Sequence, residues 1–205
     1  MHLVLLFAAA LQAGQIVDKV ECLAKPEQTY ALYLPSRYTP ERKWPILYAF
    51  DPAARGRIPV ERFQAAAEKY GYIVVGSNNS RNGPWKISEQ ALNAMWGDTH
   101  ERFALDPRRV YSTGFSGGAR VAAAMGSAIA DVAGVIACGA GFPNSQVPKK
   151  VPFAFFGIAG SEDFNNTELH QVRREMEAQG AVNRFAEFEG GHGWCPSPLC
   201  TEAIE

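Results

Sequence analysis

The chain lacks the sequence features of several protein classes. No run of basic residues stands out, and 20 Lys and Arg residues are balanced by 21 Asp and Glu residues, for a formal net charge of −1. Binding to nucleic acid or to an anionic membrane surface requires clustered positive charge, so neither partner is predicted. The spacings typical of zinc ligands, H-E-x-x-H and paired C-x-x-C, are also missing. We therefore predict no metal site.

No hydrophobic segment predicts a membrane span. The N-terminal apolar segment, residues 1–11, is too short to cross a bilayer well. Small residues follow at Ala13 and Gly14, where a signal peptidase could cut, although no Lys or Arg precedes the segment. We expect residues 1–14 to be a signal peptide and residues 15–205 to form one secreted or periplasmic domain. The alternative is a buried N-terminal strand or helix.

Cysteine is scarce: the four are Cys22, Cys138, Cys195 and Cys200. An even number in an exported chain permits disulfides. Cys195 and Cys200 flank a short loop that two prolines stiffen, which favours a bridge between them. The alternative is four unpaired thiols, with Cys138 buried in a strand as a small hydrophobic residue. Three pairings of four cysteines are possible, and the sequence does not choose among them.

Strand-like and helix-like segments alternate along the 205 residues, and no repeat is visible. The predicted strands lie at 30–34, 45–50, 72–75, 109–113, 132–138, 153–158 and 184–188. The predicted helices include 92–103, a helix with Val60, Phe63, Ala67 and Tyr70 on one face, and another that Thr167 caps. Alternation of this kind predicts an α/β domain with a mostly parallel central sheet flanked by helices. Ligands bind beyond the carboxyl ends of such strands, and the loops there hold nearly all the polar candidates.

The most informative motif is Gly114-Phe115-Ser116-Gly117-Gly118, which fits G-x-S-x-G. This pattern places a serine on a sharp turn between a strand and a helix, and its glycines relieve crowding at the turn. The pattern alone is weak, but a β-branched and aromatic run precedes it and an alanine-rich helix-forming run follows. The context indicates that Ser116 is a nucleophile rather than part of a plain Gly/Ser turn.

A serine nucleophile needs a base, and the base needs an orienting acid. Of the four histidines, only His192 follows a predicted strand, in a glycine-rich loop, which makes it the candidate base. Asp163 and Glu162 follow the strand between the serine and the histidine, and Asp163 is the preferred acid. Either carboxylate has a structural alternative at the start of the next helix, where acids are favourable.

The residues leading into Ser116, Asp106 to Gly118, resemble those of α/β-hydrolases, and in particular of secreted esterases of the polyhydroxybutyrate-depolymerase and feruloyl-esterase type. The resemblance covers roughly residues 28 to 205. It implies the α/β-hydrolase fold, with Ser116 as nucleophile, Asp163 as acid and His192 as base. No cofactor is implied. Cys200 to Glu205 looks like only the first turn of the helix with which family members usually finish.

One departure from the family concerns the oxyanion hole. The family usually has a His-Gly pair after the strand that ends here at Phe50, whereas this chain has Asp51-Pro52. Proline has no N–H to donate. The backbone of Gly117 can supply one donor, and Asp51 or Ala53 is the candidate for the second. Losing one such donor costs about 2.7–4 kcal/mol of transition-state stabilisation.

The connection after Gly139 is too short for a large lid, which predicts an open, shallow site. Trp194 and Trp85 are candidate substrate walls, with ordinary aromatic packing as the alternative. The polar loop Ser77 to Asn82 follows a predicted strand and is a further candidate for substrate contact.

These features predict an exported serine hydrolase that cleaves small-molecule or polymer-linked carboxylic esters through an acyl-enzyme. Two alternatives remain open. One is a peptidase or amidase with the same triad, and the other is a non-catalytic binding domain, suggested by Asp51-Pro52. The oligomeric state is not predicted.

Overall fold

The computed structural model describes residues 11–205, of which residues 16–204 contain the regular elements. The predicted signal peptide, residues 1–14, therefore lies outside the described residues except for its last four positions. The strands are β1 Ile16–Cys22, β2 Lys25–Tyr33, β3 Trp44–Phe50, β4 Ile73–Ser77, β5 Leu105–Phe115, β6 Val132–Cys138, β7 Ala154–Gly160 and β8 Asn183–Phe188. The helices are α1 Arg57–Tyr70, α2 Trp85–Arg102, α3 Gly117–Ala128, α4 Asn166–Ala178 and α5 Ser197–Ile204, with a short 3-10 helix at Pro143–Ser145.

All eight strands form one sheet in the order β1-β2-β4-β3-β5-β6-β7-β8. The pairs β1–β2 and β2–β4 are antiparallel. Strands β3 to β8 are all parallel to one another. The predicted mostly parallel α/β sheet is thus confirmed. Within the described residues, no large lid interrupts the connection between β6 and β7, which carries only the 3-10 helix.

The core lies on both faces of the sheet because successive side chains of a strand point to opposite sides. In β3, Ile46 and Tyr48 belong to the buried cluster that contains residues of α2, α3 and α4, whereas Leu47 belongs to the cluster that contains residues of α1 and α5. Every residue of β3 is buried. Burial on both faces explains why the central strands are continuous apolar runs in the sequence.

The strand order reverses at β3, which lies between β4 and β5. A crevice opens at the carboxyl ends of the strands at such a switch point. The loop after β3 begins at Asp51 and the turn after β5 contains Ser116, so this topology places both at one edge of the sheet.

Several boundaries differ from the sequence predictions. The edge strand β1 was not predicted, and α2 begins at Trp85, seven residues before the predicted start. Helix α4 begins at Asn166 with Asn165 at its N-cap, so the predicted Thr167 cap is wrong. Helix α5 begins at Ser197 and has eight residues rather than one turn. None of the helices in residues 11–205 is long and apolar enough to cross a membrane.

Candidate active site

Ser116 lies on a strained turn between β5 and α3. Its backbone has φ 54° and ψ −121°, a conformation that costs energy for any residue with a Cβ. Two glycines make the turn possible. A Cβ on Gly114 would lie 2.1 Å from Gly118 O, and one on Gly118 would lie 2.0 Å from Phe50 O. The strand, sharp turn and helix predicted from the sequence are all present. The turn lifts the Ser116 side chain above the end of β5.

The structure brings Ser116, His192 and Asp163 together, although they lie on three different loops. His192 Nε2 is 2.9 Å from Ser116 Oγ, and His192 Nδ1 is 2.9 Å from both carboxylate oxygens of Asp163. A carboxylate only accepts hydrogen bonds, so Nδ1 carries the proton and donates it. Nε2 is then left as the acceptor for the Ser116 hydroxyl. This arrangement provides a base that can take the serine proton.

Asp163 is held in a buried position beyond the end of β7. It is only 4% exposed, and Asn165 N donates to its Oδ1 at 2.7 Å. Gly139 leaves room for it. This glycine has φ +63°, and a Cβ there would lie 2.9 Å from Asp163 Oδ2 and 3.2 Å from His192 Cε1. Glu162, the competing acid, is exposed. The geometry therefore favours Asp163 over Glu162 as the partner of His192.

The loop that carries His192 packs directly on the loop that carries Asp163. Glu162 N donates to Gly190 O at 2.9 Å. Gly160 permits this approach, since a Cβ there would lie 2.3 Å from Gly190 O. The relative position of Asp163 and His192 is therefore fixed by a backbone contact as well as by the hydrogen bond between their side chains.

Two aromatic rings enclose the imidazole of His192. The Phe115 ring centroid lies 4.6 Å from that of His192, and the Phe164 centroid lies 4.1 Å away. Phe115 is buried, whereas Phe164 is 76% exposed. Phe164 therefore presents an apolar surface to solvent directly beside the His192 imidazole.

Asp51 is completely buried and its carboxylate is fully engaged. It accepts hydrogen bonds from Arg55 Nε at 2.8 Å, from Arg55 Nη2 at 3.1 Å, from Ala53 N at 2.9 Å and from Trp194 Nε1 at 2.9 Å. A buried charge needs such partners. The carboxylate thus fixes the loop after β3. The Ala53 N–H, which the sequence offered as an oxyanion donor, is engaged with Asp51.

Trp194 is 8% exposed, and its indole packs against Phe115 with ring centroids 5.9 Å apart. Together with its hydrogen bond to Asp51, this placement matches the packing alternative for Trp194. Trp85, the other candidate wall, is exposed at the start of α2, where it lines a groove between α2 and α3.

The helices that flank the site are joined by an ion pair between Arg120 on α3 and Glu168 on α4. The pair is bidentate, with distances of 2.9 and 2.8 Å. Gly141 N and Ser145 Oγ also donate to Glu168 at 2.9 Å. Burial raises the pKa of Glu168, but the hydrogen bonds from Arg120, Gly141 and Ser145 together outweigh it and bring that pKa below its usual range. Glu168 thus ties the loop after β6 to both helices.

The sequence did not single out Asn82, which lies against the elbow from the loop after β4. A Cβ on Gly117 would lie 1.8 Å from Asn82 Oδ1, so the amide rests against the Gly117 backbone. Asn82 N donates to Pro52 O at 2.8 Å, and Ala53 and Arg81 form an antiparallel bridge. These contacts hold the loop after β4 against the loop after β3. The sequence predicted only that the run Ser77 to Asn82 as a whole is a candidate for substrate contact.

No protein-family model matches the chain, and no curated protein matches it. Solved structures do match over nearly its whole length. The sheet order, the elbow and these matches define the α/β-hydrolase fold.

Among those structures, a ferulic acid esterase has a TM-score of 0.71 at 18% identity, over 93% of this chain and 96% of that one. A truncated carbohydrate esterase from gut microbiota has a TM-score of 0.70 at 16% identity, over 96% and 94%. The S-formylglutathione hydrolase FrmB from Staphylococcus aureus has a TM-score of 0.69 at 12% identity, over 94% and 95%. At these identities the likeness establishes the fold, and the resemblance to α/β-hydrolase esterases is confirmed at that level.

Proposed function

We propose that the protein is a serine hydrolase that cleaves carboxylic esters. The observation that carries the proposal is the continuous relay from Ser116 Oγ through His192 to the buried Asp163, with every contact at 2.9 Å. A hydroxyl next to an oriented, neutral imidazole is the arrangement needed for nucleophilic attack on a carbonyl. The esterase names of the structural neighbours agree with this chemistry.

In the proposed reaction, Ser116 Oγ attacks the carbonyl carbon of the ester while His192 Nε2 takes its proton. The carbonyl oxygen becomes an oxyanion next to the Gly117 N–H at the start of α3. The bond to the leaving oxygen then breaks, His192 returns the proton to the departing alcohol, and an acyl-enzyme remains. Water attacks the acyl carbon and gives a proton to His192. The imidazolium passes that proton to Ser116 Oγ as its bond to the acyl carbon breaks, which releases the acid and regenerates Ser116.

Asp163 stabilises the imidazolium that forms twice in this cycle. Its burial keeps the opposite charge close to His192 and away from competing water. The exposed ring of Phe164 and the absence of a large lid in the described residues suit an ester whose acyl or alcohol group extends from an open site. The proposed substrates are therefore esters of small molecules and esters attached to a polymer.

Covalent labelling and presteady-state kinetics test the proposal. We expect a fluorophosphonate to label Ser116 and a p-nitrophenyl ester to give a burst of nitrophenol as the acyl-enzyme forms. Ser116→Ala should abolish both while keeping the wild-type melting temperature. Ser127→Ala is the matched control, because Ser127 lies in the helix that follows Ser116 and its hydroxyl donates to Ala123 O. Turnover that survives in Ser116→Ala, or faster cleavage of the matching amide than of the ester, would contradict the proposal.

We further propose that the protein is exported after removal of residues 1–14 and that Cys195 and Cys200 then form a disulfide. All four cysteines are free and buried in the structure, and the sulfur atoms of Cys195 and Cys200 lie 2.9 Å apart. An oxidising compartment favours joining two such thiols. N-terminal sequencing of the protein recovered from its native compartment tests the first part of this proposal, and a chain that still begins at Met1 would exclude it.

A further inference from the structure

The loop after β3 has few backbone donors left for an oxyanion. Pro52 has no N–H. Ala53 N donates to Asp51 Oδ1 at 2.9 Å, and Ala54 N donates to Asp51 O at 3.2 Å. A hydrolase of this fold needs two donors aimed at the developing negative charge. The Gly117 N–H is one. For the second, the loop after β3 leaves the Asp51 N–H, and the loop after β4 offers a side chain close to Gly117.

The side-chain amide of Asn82 is in that position. Its Oδ1 lies 1.8 Å, and its Nδ2 3.4 Å, from where a Gly117 Cβ would stand. Either end of the amide is therefore next to the residue whose N–H faces the oxyanion. The two ends exchange by a half-turn about the Cβ–Cγ bond. Gly117 is needed for this contact, because any larger residue would occupy the space of the amide.

The backbone of Asn82 is fixed although its side chain lies at the surface. Asn82 N donates to Pro52 O at 2.8 Å, and the bridge between Ala53 and Arg81 holds the same stretch. Ser80 N also donates to Ser77 Oγ at 3.0 Å, which tightens the turn after β4. A donor on such a support loses little conformational entropy when a transition state forms.

We propose that Asn82 Nδ2 is the second oxyanion donor and works together with the Gly117 N–H. The inference rests on the proposed ester hydrolysis and assigns a catalytic residue to it. An oxygen that becomes negative next to both groups selects the amide orientation in which Nδ2 faces it. A side-chain amide thereby supplies a donor in place of the N–H that Pro52 lacks.

Asn82→Leu removes the donor and keeps a side chain of similar size. We expect kcat for a p-nitrophenyl ester to fall about 100-fold, with KM within about threefold of wild type, because the donor acts mainly on the transition state. Binding of phenylboronic acid, which forms a tetrahedral anionic adduct with the serine, should weaken by a similar factor. Lys86→Ala, at an exposed position on α2 just after this loop, is the control and should keep both values.

A double-mutant cycle separates this role from general support of the loop. Gly117→Ala keeps the backbone N–H but places its Cβ on the Asn82 amide, so alone it should reduce kcat about as much as Asn82→Ala. In the Asn82→Ala background the collision is gone, and adding Gly117→Ala should cost less than about threefold more. Melting temperatures of the four proteins show whether each variant is folded.

Three results would overturn the assignment. They are a kcat for Asn82→Leu within about threefold of wild type, a loss that appears only in KM, and purely multiplicative effects of the two substitutions in the cycle. A wild-type protein that neither turns over the ester nor binds the boronic acid would instead refute the proposed function, and this inference with it.

Discussion

Trp194 donates its indole N–H to Asp51 Oδ2 at 2.9 Å and so joins the loop that carries His192 to the loop after β3. The first loop carries His192, and the second accepts a hydrogen bond from Asn82 N at Pro52 O. The partner carboxylate is completely buried. This hydrogen bond therefore couples the position of the His192 loop to that of the loop after β3, which Asn82 contacts.

Trp194→Phe should lower both stability and turnover. The substitution keeps an aromatic ring against Phe115 but removes one donor from a buried carboxylate, at a cost of about 1–2 kcal/mol. Arg55 still binds Asp51, so we expect the protein to fold. Urea denaturation and ester kinetics measure the two effects. Trp85→Phe, at an exposed position, is the control, and equal stability of the two variants would show that the hydrogen bond contributes nothing.

Ester hydrolysis should decrease as the pH is lowered, because the proposed reaction needs an imidazole that can accept a proton. The protonated imidazole has no lone pair on Nε2 and cannot accept the Ser116 proton, so the sign of the effect is a loss of kcat/KM on the acid side. A pH–rate profile together with circular dichroism at each pH checks the prediction. A profile that stays flat while the protein remains folded would be incompatible with His192 as the base.

Gly114→Ala should disrupt the nucleophile turn, whereas Gly97→Ala should stabilise the protein. The Cβ at position 114 would lie 2.1 Å from backbone atoms that cannot move without breaking the elbow, and we expect a loss of at least about 3 kcal/mol. Nothing lies within 4 Å of a Cβ at position 97, inside α2, where alanine is better than glycine by about 1 kcal/mol. Thermal denaturation of both variants shows whether Gly114→Ala lowers the melting temperature and Gly97→Ala raises it.

The central strands could be predicted from the sequence because a strand buried on both faces is a continuous apolar run. The run from Pro45 to Phe50 is apolar throughout, and β3 is buried throughout. The elbow could also be predicted, because the G-x-S-x-G pattern lies within five consecutive residues between a strand-like run and a helix-forming run. The order of strands and loops then restricted the acid and base to a few side chains.

The remaining features depend on contacts that are distant in the chain. Strand β1 carries Asp18, Lys19 and Glu21 at an edge of the sheet, and only its pairing with β2 makes it a strand. Asn82 has no distinctive local pattern, because its importance comes from its approach to Gly117, 35 positions away. The engagement of the Ala53 N–H by Asp51 likewise becomes visible only in three dimensions.

The proposed Cys195–Cys200 disulfide should stabilise the end of the chain. Closing a loop of this size removes unfolded-state entropy worth about 2 kcal/mol, so the oxidised protein should melt at a higher temperature than the reduced one. Intact mass without reductant should show the loss of two hydrogens, and peptide mapping identifies the pair. Because the thiol of Cys138 also lies beside Cys195, a Cys138–Cys195 peptide or four free thiols would exclude the proposed bridge.

Glu168→Gln should destabilise the protein at neutral pH and matter progressively less in acid. The folded-state pKa of Glu168 is lowered, so its charge adds stability that is fully present above the ordinary glutamate pKa of about 4.3. That stability is lost as the pH falls through the lower folded-state value. At neutral pH we expect a loss of about 2 kcal/mol, typical of hydrogen bonds to a charged group.

Urea denaturation of the variant and of wild type across this pH range gives the difference. Glu177→Gln, on the exposed side of α4, is the control, and a difference for Glu168→Gln that persists unchanged in acid would show that the charge is not its cause.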